Sequence, residues 1–128
     1  MLKIYTDGGS RGNPGKSAGA FVVIKNGNKI KELARFFGTK TNNEAEYNAI
    51  ILALTIVKAK QFEIISDSEL VIKQINQEYK TTEPHLKELR QKVEDLIKSR
   101  KIKFSNTARD DKFISRADYL VNKELDKH

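Results

Sequence analysis

The dipeptide Asn26-Gly27 separates two runs with β-strand character, at residues 17–25 and 29–37. Asparagine and glycine tolerate the positive φ angles of a two-residue hairpin turn, so this pattern predicts an antiparallel β-hairpin. Residues 2–6 alternate between apolar and polar side chains and predict a further strand. The chain therefore begins with three strands in an antiparallel meander.

The segment at 7–16, DGGSRGNPGK, lies between the first two of these strands. Its density of glycine and proline predicts a loop or a broad turn. Helices are expected over 41–60, 68–79, 84–99 and 115–127, and short strands over 62–66 and 101–105.

The resulting order is β-β-β-α-β-α-α-β-α. Because strand–helix–strand crossovers join parallel strands, the second half of the chain should add parallel strands to the antiparallel meander. We therefore expect an α/β fold with a mixed five-stranded sheet flanked by helices. The 128 residues fit a single domain spanning 1–128.

Composition narrows the partners and cofactors of such a domain. Lysine and arginine total 24 against 17 acidic residues, and the net charge of +7 favours a nucleic acid over an anionic membrane surface. Without cysteine, and with His85 and His128 as the only histidines, a metal would be held by oxygen ligands, as Mg²⁺ and Mn²⁺ are. The chain has no recognisable signal peptide, and its longest apolar stretch is too short to span a bilayer. We expect a cytoplasmic monomer.

Two acidic residues follow the ends of predicted strands. Asp7 comes after the first strand and Asp67 after the fourth. Taken alone, Asp7 is typical of a turn and Asp67 of a helix start. Ligands of α/β sheets bind at the carboxyl ends of strands, which makes the pair a candidate site.

Two further acids lie at the margins of apolar helix faces. Glu46 is in line with Ala49, Ile50 and Ala53 and should point toward the sheet, although Asn43 and Glu46 also have the spacing of a capping box. Asp118 groups with apolar residues of the last helix, where a solvated position is the alternative. No lysine or arginine is evidently paired with the four acids. If they converge, divalent cations would relieve their repulsion.

Four segments resemble, in chain order, the motifs of type 1 ribonuclease H: YTDGGSRGNPG, TNNEAEYNAIILAL, ISDSELVIKQI and RADYLVN. The resemblance runs from residue 2 to residue 125. It implies the ribonuclease H-like fold and endonucleolytic cleavage of the RNA strand of RNA–DNA hybrids, leaving 5′-phosphate and 3′-hydroxyl ends. It also implies two Mg²⁺ or Mn²⁺ ions held by the family's four carboxylates, here Asp7, Glu46, Asp67 and Asp118.

The same resemblance implies the substrate contacts. The family's glycine-rich segment contacts the RNA strand, and its threonine–asparagine–asparagine segment touches both strands. The corresponding residues of this chain are Gly8, Gly9, Ser10, Asn13, Thr41, Asn42 and Asn43. Glycines allow close approach of the backbone to a minor groove and its 2′-hydroxyl groups.

The chain departs from the family pattern in two places. The loop at 108–115 lacks the histidine of many members and has Ile114 where asparagine is common. Arg109 in this loop has two interpretations, a role in product release or phosphate contact and a plain surface position. The basic, tryptophan-containing handle of some members is also missing. Lysines such as Lys58, Lys60, Lys101 and Lys103 could replace it, but a solvated face is the favoured interpretation.

Two rival functions remain at this point. A non-catalytic hybrid- or duplex-binding module of the same fold would have no use for acids near phosphates, and retention of all four argues against it. Related nucleases of this fold share acidic clusters, but the glycine-rich and TNN segments fit ribonuclease H better. Whether double-stranded RNA is also cut stays open.

Overall fold

The computed structural model describes residues 1–128 and contains one mixed sheet. Its strands are β1 (Leu2–Gly12), β2 (Gly15–Lys25), β3 (Asn28–Lys40), β4 (Gln61–Ser66) and β5 (Lys101–Asn106). They lie in the order β3-β2-β1-β4-β5. The β1–β2 and β2–β3 pairs are antiparallel, and the β1–β4 and β4–β5 pairs are parallel. The predicted fold class and element order are confirmed.

Four helices cover the two faces of the sheet: α1 (Asn42–Ile56), α2 (Glu69–Ile75), α3 (Pro84–Leu96) and α4 (Lys112–Leu125). The first three pack with one face in a core that includes Ile4, Phe21 and Tyr47. Helix α4 packs alone on the other face, against Tyr5 and Val22. Adjacent residues of β1 thus point to opposite helical layers, as the alternation of a strand requires.

The glycine-rich segment at 7–16 is not the predicted loop. Strand β1 continues to Gly12 and β2 begins at Gly15, with Asp7 opposite Ala20 and Gly12 opposite Gly15. Glycine weakens a strand but does not prevent ladder hydrogen bonds, and here the neighbouring β2 supplies them. Only residues 13 and 14 form the turn. Asp7 therefore lies within a long strand rather than in a turn.

The predicted helix ends differ from the observed ones by three or four residues. Helix α1 ends at Ile56, α2 at Ile75 and α3 at Leu96, each earlier than expected, and α4 begins earlier, at Lys112. The start of α4 is fixed by Asp111, whose carboxylate accepts hydrogen bonds from the backbone N–H groups of Phe113 and Ile114. Such caps satisfy the free N–H groups of a first turn. None of the helices has the length and apolar composition needed to cross a bilayer.

Candidate active site

Three carboxylates from separate elements meet at one edge of the sheet. Asp7 belongs to β1, Glu46 to α1, and Asp67 directly follows β4. Their ligand oxygens all lie within 4.8 Å of one another. Because Thr6 of β1 pairs in parallel with Ser66 of β4, the next residue on each strand reaches the same edge. The parallel register therefore brings Asp7 and Asp67 together.

Glu46 is oriented by the glycine-rich strand. The backbone N–H of Gly8 donates a hydrogen bond to Glu46 Oε1 at 2.6 Å. A Cβ atom at residue 8 would lie 2.2 Å from the carbonyl oxygen of Ala45, so only glycine permits this close approach of β1 to α1. The absence of a side chain at residue 8 thus allows the Gly8 N–H to face the carboxylate of Glu46.

The capping box of α1 uses a different pair from the one that the sequence suggested. Thr41 is the N-cap, its hydroxyl accepts from the N–H of Glu44, and the Glu44 carboxylate accepts from the N–H of Thr41. These bonds, led by the backbone N–H of Thr41, lower the pKa of Glu44. Glu46 has no capping role and is left free to face the other two acids.

Asp118 approaches the same site from the face of the sheet that α4 covers, opposite the face that α1 covers. It lies on α4 and is exposed, whereas Asp7 is only 8% exposed. The Asp118 carboxyl lies close enough to that of Asp7 to raise its pKa through charge and through a hydrogen bond. The structure therefore places all four predicted acids around one point, with Asp118 as the outermost.

Burial and mutual repulsion make the buried acids hard to ionise. Burial, followed by the charges of Asp67 and Asp118, raises the pKa of Asp7 to about 8. Burial, then the charges of Asp7 and Asp67, raises the pKa of Glu46 well above its usual value, against the opposing effect of the Gly8 N–H. Such shifts are typical of functional sites, where a bound cation can supply the missing compensation.

The donor set fits a hard divalent cation. All four candidate ligands are carboxylates, which suit Mg²⁺ and Mn²⁺ rather than zinc or copper. The close approach of Asp7, Glu46 and Asp67, together with the raised pKa of Asp7, is the expected signature of ligands arranged for positive charge.

Arg109, for which the sequence left a functional role and a plain surface position open, lies beside the acids. Its Nε atom lies 3.5 Å from Asp67 Oδ2, and its charge lowers the pKa values of Asp7 and Glu46. The side chain is 93% exposed, so this ion pair is weak and easily exchanged. The loop before α4 thus places an exposed positive group beside the acids.

The acids lie in an open cleft with a volume of about 730 Å³. Of the predicted substrate residues, five line it, namely Gly8, Gly9, Ser10, Asn42 and Asn43. Asn13 and Thr41 lie outside the lining. The Asn13 side chain accepts from the N–H of Asn42, and Asn42 Oδ1 in turn accepts from the N–H of Ser10. These bonds join the glycine-rich strand to the start of α1.

Several residues that line the cleft were not among the candidates, including Arg11 on β1 and Asn122 on α4. Asn122 lies one helical turn beyond Asp118 and could have been found from that spacing. Arg11 lies four residues beyond Asp7 in the same strand, on the same side. The interpretation of this segment as a loop concealed that relation.

Comparisons with known proteins identify the family of this chain. Residues 1–122 match the family model described as RNase H. A ribonuclease HI from Halobacterium salinarum is 36% identical over 134 residues, covering 95% of this chain and 63% of that protein. A ribonuclease H from Clostridium botulinum is 34% identical, covering 97% of this chain and 95% of that protein.

A solved structure of LC11-RNase H1 in complex with an RNA/DNA hybrid is similar at a TM-score of 0.90 and 37% identity. The match covers 99% of this chain and 98% of that chain. The chain spans just under two thirds of the Halobacterium relative but nearly the whole of the other two proteins. Because the family model matches residues 1–122 of the 128, the chain belongs to the ribonuclease H family, a family of endoribonucleases.

Proposed function

We propose that this chain hydrolyses the RNA strand of RNA–DNA hybrids, leaving 5′-phosphate and 3′-hydroxyl ends. The observation that carries the proposal is the convergence of Asp7, Glu46 and Asp67 in an open cleft, with Asp118 alongside. Family membership and the hybrid complex of a relative at 37% identity support the substrate class.

The four carboxylates would hold two Mg²⁺ or Mn²⁺ ions. Bound ions of this kind supply a clamp for the attacking and leaving oxygens of an in-line phosphoryl displacement. The protein's own contribution is to fix the ligands. The Gly8 N–H holds one oxygen of Glu46, and the register between β1 and β4 holds Asp7 beside Asp67. Asp118, on a separate helix, completes the set from the solvent side.

Substrate recognition would use the walls of the same cleft. Gly8 and Gly9 present backbone at a surface without side chains, which suits contact with the 2′-hydroxyl groups of an RNA strand. Ser10, Asn42 and Asn43 add polar groups beside it. Thr41 and Asn13 act at the rim in this proposal, because the Thr41 hydroxyl is engaged in the helix cap and Asn13 in a bond to Asn42.

A cleavage assay on an end-labelled RNA–DNA hybrid tests the proposal. We expect cleavage with Mg²⁺ or Mn²⁺ and none with EDTA. Asp118→Asn should lower activity by orders of magnitude, whereas Asp110→Asn removes the same charge at an exposed position outside the cleft and should retain it. Cleavage that persists in EDTA, or no cleavage with either metal, would contradict the proposed mechanism.

The same assay separates the alternative functions. A non-catalytic module would retard the hybrid in a gel without cutting it under any metal condition. A double-stranded RNA substrate, run in parallel, measures how strictly the deoxyribose strand is required. End analysis of the fragments checks for the 5′-phosphate.

A further inference from the structure

Arg11 lines the same cleft as the four carboxylates, but the proposed metal site gives it no role. Along β1, Tyr5 packs toward α4 whereas Ile4 packs toward α1. By the alternation of a strand, Asp7, Gly9 and Arg11 share the α4 side with Tyr5. Four residues of strand place Arg11 about 13 Å beyond Asp7. Both residues line the same cleft.

Only one nitrogen of the Arg11 guanidinium makes hydrogen bonds. Its Nη2 atom donates to Asp126 Oδ1 at 2.7 Å, and lies 3.3 Å from the backbone oxygen and 3.5 Å from the side-chain oxygen of Asn122. Every one of its hydrogen bonds uses this nitrogen, so Nε and Nη1 remain available.

The ion pair between Arg11 and Asp126 is exposed, with side-chain exposures of 48% and 64%. Exposed pairs of this kind add little to the free energy of unfolding. The main consequence of the contact is therefore orientation. It fixes a planar, permanently charged group on the cleft wall with its remaining donors unused.

We propose that Arg11 binds a backbone phosphate of the strand that is cut, and that Asp126 and Asn122 hold it ready for that contact. This inference rests on the proposed function. A cleft with four acids repels a polyanion, so cationic groups beside the acids are needed to draw the strand in. Arg109 lies beside Asp67, and Arg11 supplies a second positive group farther along β1.

The position of the contact can be bounded. With an axial rise of roughly 3.4 Å per phosphate, a group about 13 Å from Asp7 meets a linkage within about four of the cleaved one. The guanidinium fork matches the geometry of a phosphate. One defined linkage should therefore depend on Arg11.

Steady-state kinetics of Arg11→Ala give the first test. We expect KM for the hybrid to rise by roughly ten-fold, the scale of one charge-assisted hydrogen bond, with kcat changed less than about two-fold. The slope of log affinity against log salt should fall by about one. Lys25→Ala is the matched control, because it removes one exposed charge at the hairpin end of β2, outside the cleft. An unchanged KM in Arg11→Ala would overturn the proposal.

A scan with neutral methylphosphonate linkages gives the sharper test. Each linkage of the cleaved strand near the cut is replaced in turn, and KM is measured for wild type and Arg11→Ala. We expect one linkage at which neutralisation raises KM for wild type but not for Arg11→Ala. The variant has already lost the contact that this linkage makes. If the two proteins respond in parallel at every linkage, Arg11 touches no phosphate and the proposal fails.

Asp126→Asn separates phosphate binding from a structural clasp. It keeps Arg11 and leaves an amide oxygen that can still accept the hydrogen bond that orients the guanidinium, so we expect KM to change by less than about two-fold. A clasp that only holds α4 predicts that Asp126→Asn and Arg11→Ala weaken the enzyme alike, which would overturn the proposal. Failure of wild type to cut any hybrid would instead reject the proposed function itself.

Discussion

At Asp7, the burial of the carboxyl in the fold conflicts with the negative charge that metal binding requires. Its carboxyl is 8% exposed and faces Asp67 and Asp118, and its pKa is raised to about 8. Charging such a group without a cation destabilises the fold. We therefore predict that Asp7→Asn abolishes cleavage but leaves the metal-free protein as stable as wild type or more stable at pH 8.

Urea denaturation in EDTA at pH 8 measures the stability, and the hybrid assay measures the activity. Asp110→Asn, at an exposed position two residues before α4, is the control for loss of one negative charge. Addition of Mg²⁺ should raise the unfolding midpoint of wild type more than that of Asp7→Asn, because a ligand bound to the native state stabilises it. A marked loss of metal-free stability in Asp7→Asn would show that Asp7 is a structural residue.

The positions of single residues were predictable from the sequence where a local pattern fixes the direction in which a side chain points. Predicted strand ends indicated Asp7 and Asp67, although β1 continues past Asp7 to Gly12, and an apolar stripe indicated that Glu46 faces the sheet. The pairing of Arg109 with Asp67 was not predicted, and the approach of Asp118 to Asp7 was expected only from the family resemblance, because each joins elements distant in the chain. Only the packing of α4 on the second face of the sheet brings them together, and helix periodicity does not reveal which face a helix covers.

Between elements, the contact of β1 with α1 depends on one glycine. A Cβ atom at Gly8 would lie 2.2 Å from the backbone oxygen of Ala45, whereas one at Gly9 would meet only Val121 Cγ1, at 4.0 Å. We predict that Gly8→Ala forces α1 away from β1, lowers the free energy of unfolding by about 2 kcal/mol or more, and reduces cleavage by displacing Glu46.

Gly9→Ala is the matched control for this contact. It places the same methyl group on the same strand without a clash, so its unfolding midpoint should stay close to that of wild type. Chemical denaturation of both variants checks the difference. Equal stabilities would mean that α1 moves freely against β1, and that the Gly8–Glu46 hydrogen bond does not set the geometry of the site.

The end of α1 is joined to the start of β5 by Arg100. Its guanidinium donates hydrogen bonds to the backbone oxygens of Leu54, Val57, Ala59 and Leu96 and lies over the ring of Phe62. These carbonyls lose their partner if the side chain is removed. We predict that Arg100→Ala lowers the free energy of unfolding by about 2–3 kcal/mol.

Urea denaturation again provides the measurement for Arg100→Ala. Lys98→Ala, at an exposed position two residues earlier, should change stability by less than about 0.5 kcal/mol. Because Arg100 lies at the N-terminal end of β5, away from the acids, hybrid cleavage by the folded Arg100→Ala variant should resemble that of wild type. A small stability change would show that water replaces these bonds without cost.

Element types were predictable from periodicity, but their limits depended on partners elsewhere in the chain. The glycine-rich segment looks like a loop because its composition lacks strand formers, and it is a strand because β2 pairs with it as far as Gly12. Helix α1 ends at Ile56 although the apolar pattern continues, since Arg100 takes up its last carbonyls. Both cases reflect tertiary contacts that override local preference.

At the scale of the whole molecule, the net charge of +7 coexists with a cluster of acids in its cleft. The positive surface favours a polyanion, while the acids repel it at the point of cleavage. Bound cations would resolve this opposition by neutralising the acids. Metal loading should therefore control two properties together, hybrid binding and the dependence of stability on pH.

The metal-free protein should be most stable in mildly acidic solution. Between about pH 4 and pH 8 the folded state retains the proton of Asp7, which the unfolded chain has released, so stability falls as pH rises through this range. The raised pKa of Glu46 acts in the same direction. Glu32 affects stability with the opposite sign and in a lower pH range. Hydrogen bonding to Arg116 lowers its pKa to about 2, so its contribution is lost only as pH falls from about 4.5 toward 2.

We predict that the free energy of unfolding in EDTA falls by about 1 kcal/mol or more from pH 5 to pH 8, since one shifted group contributes up to about 1.4 kcal/mol per pH unit. Urea denaturation at four pH values checks this. The double variant Asp7→Asn, Glu46→Gln should give a nearly flat profile. Saturating Mg²⁺ should also remove the fall for wild type, because bound ions favour the ionised acids. A metal-free profile that is flat or rises toward pH 8 would mean that the acids are already compensated without a cation.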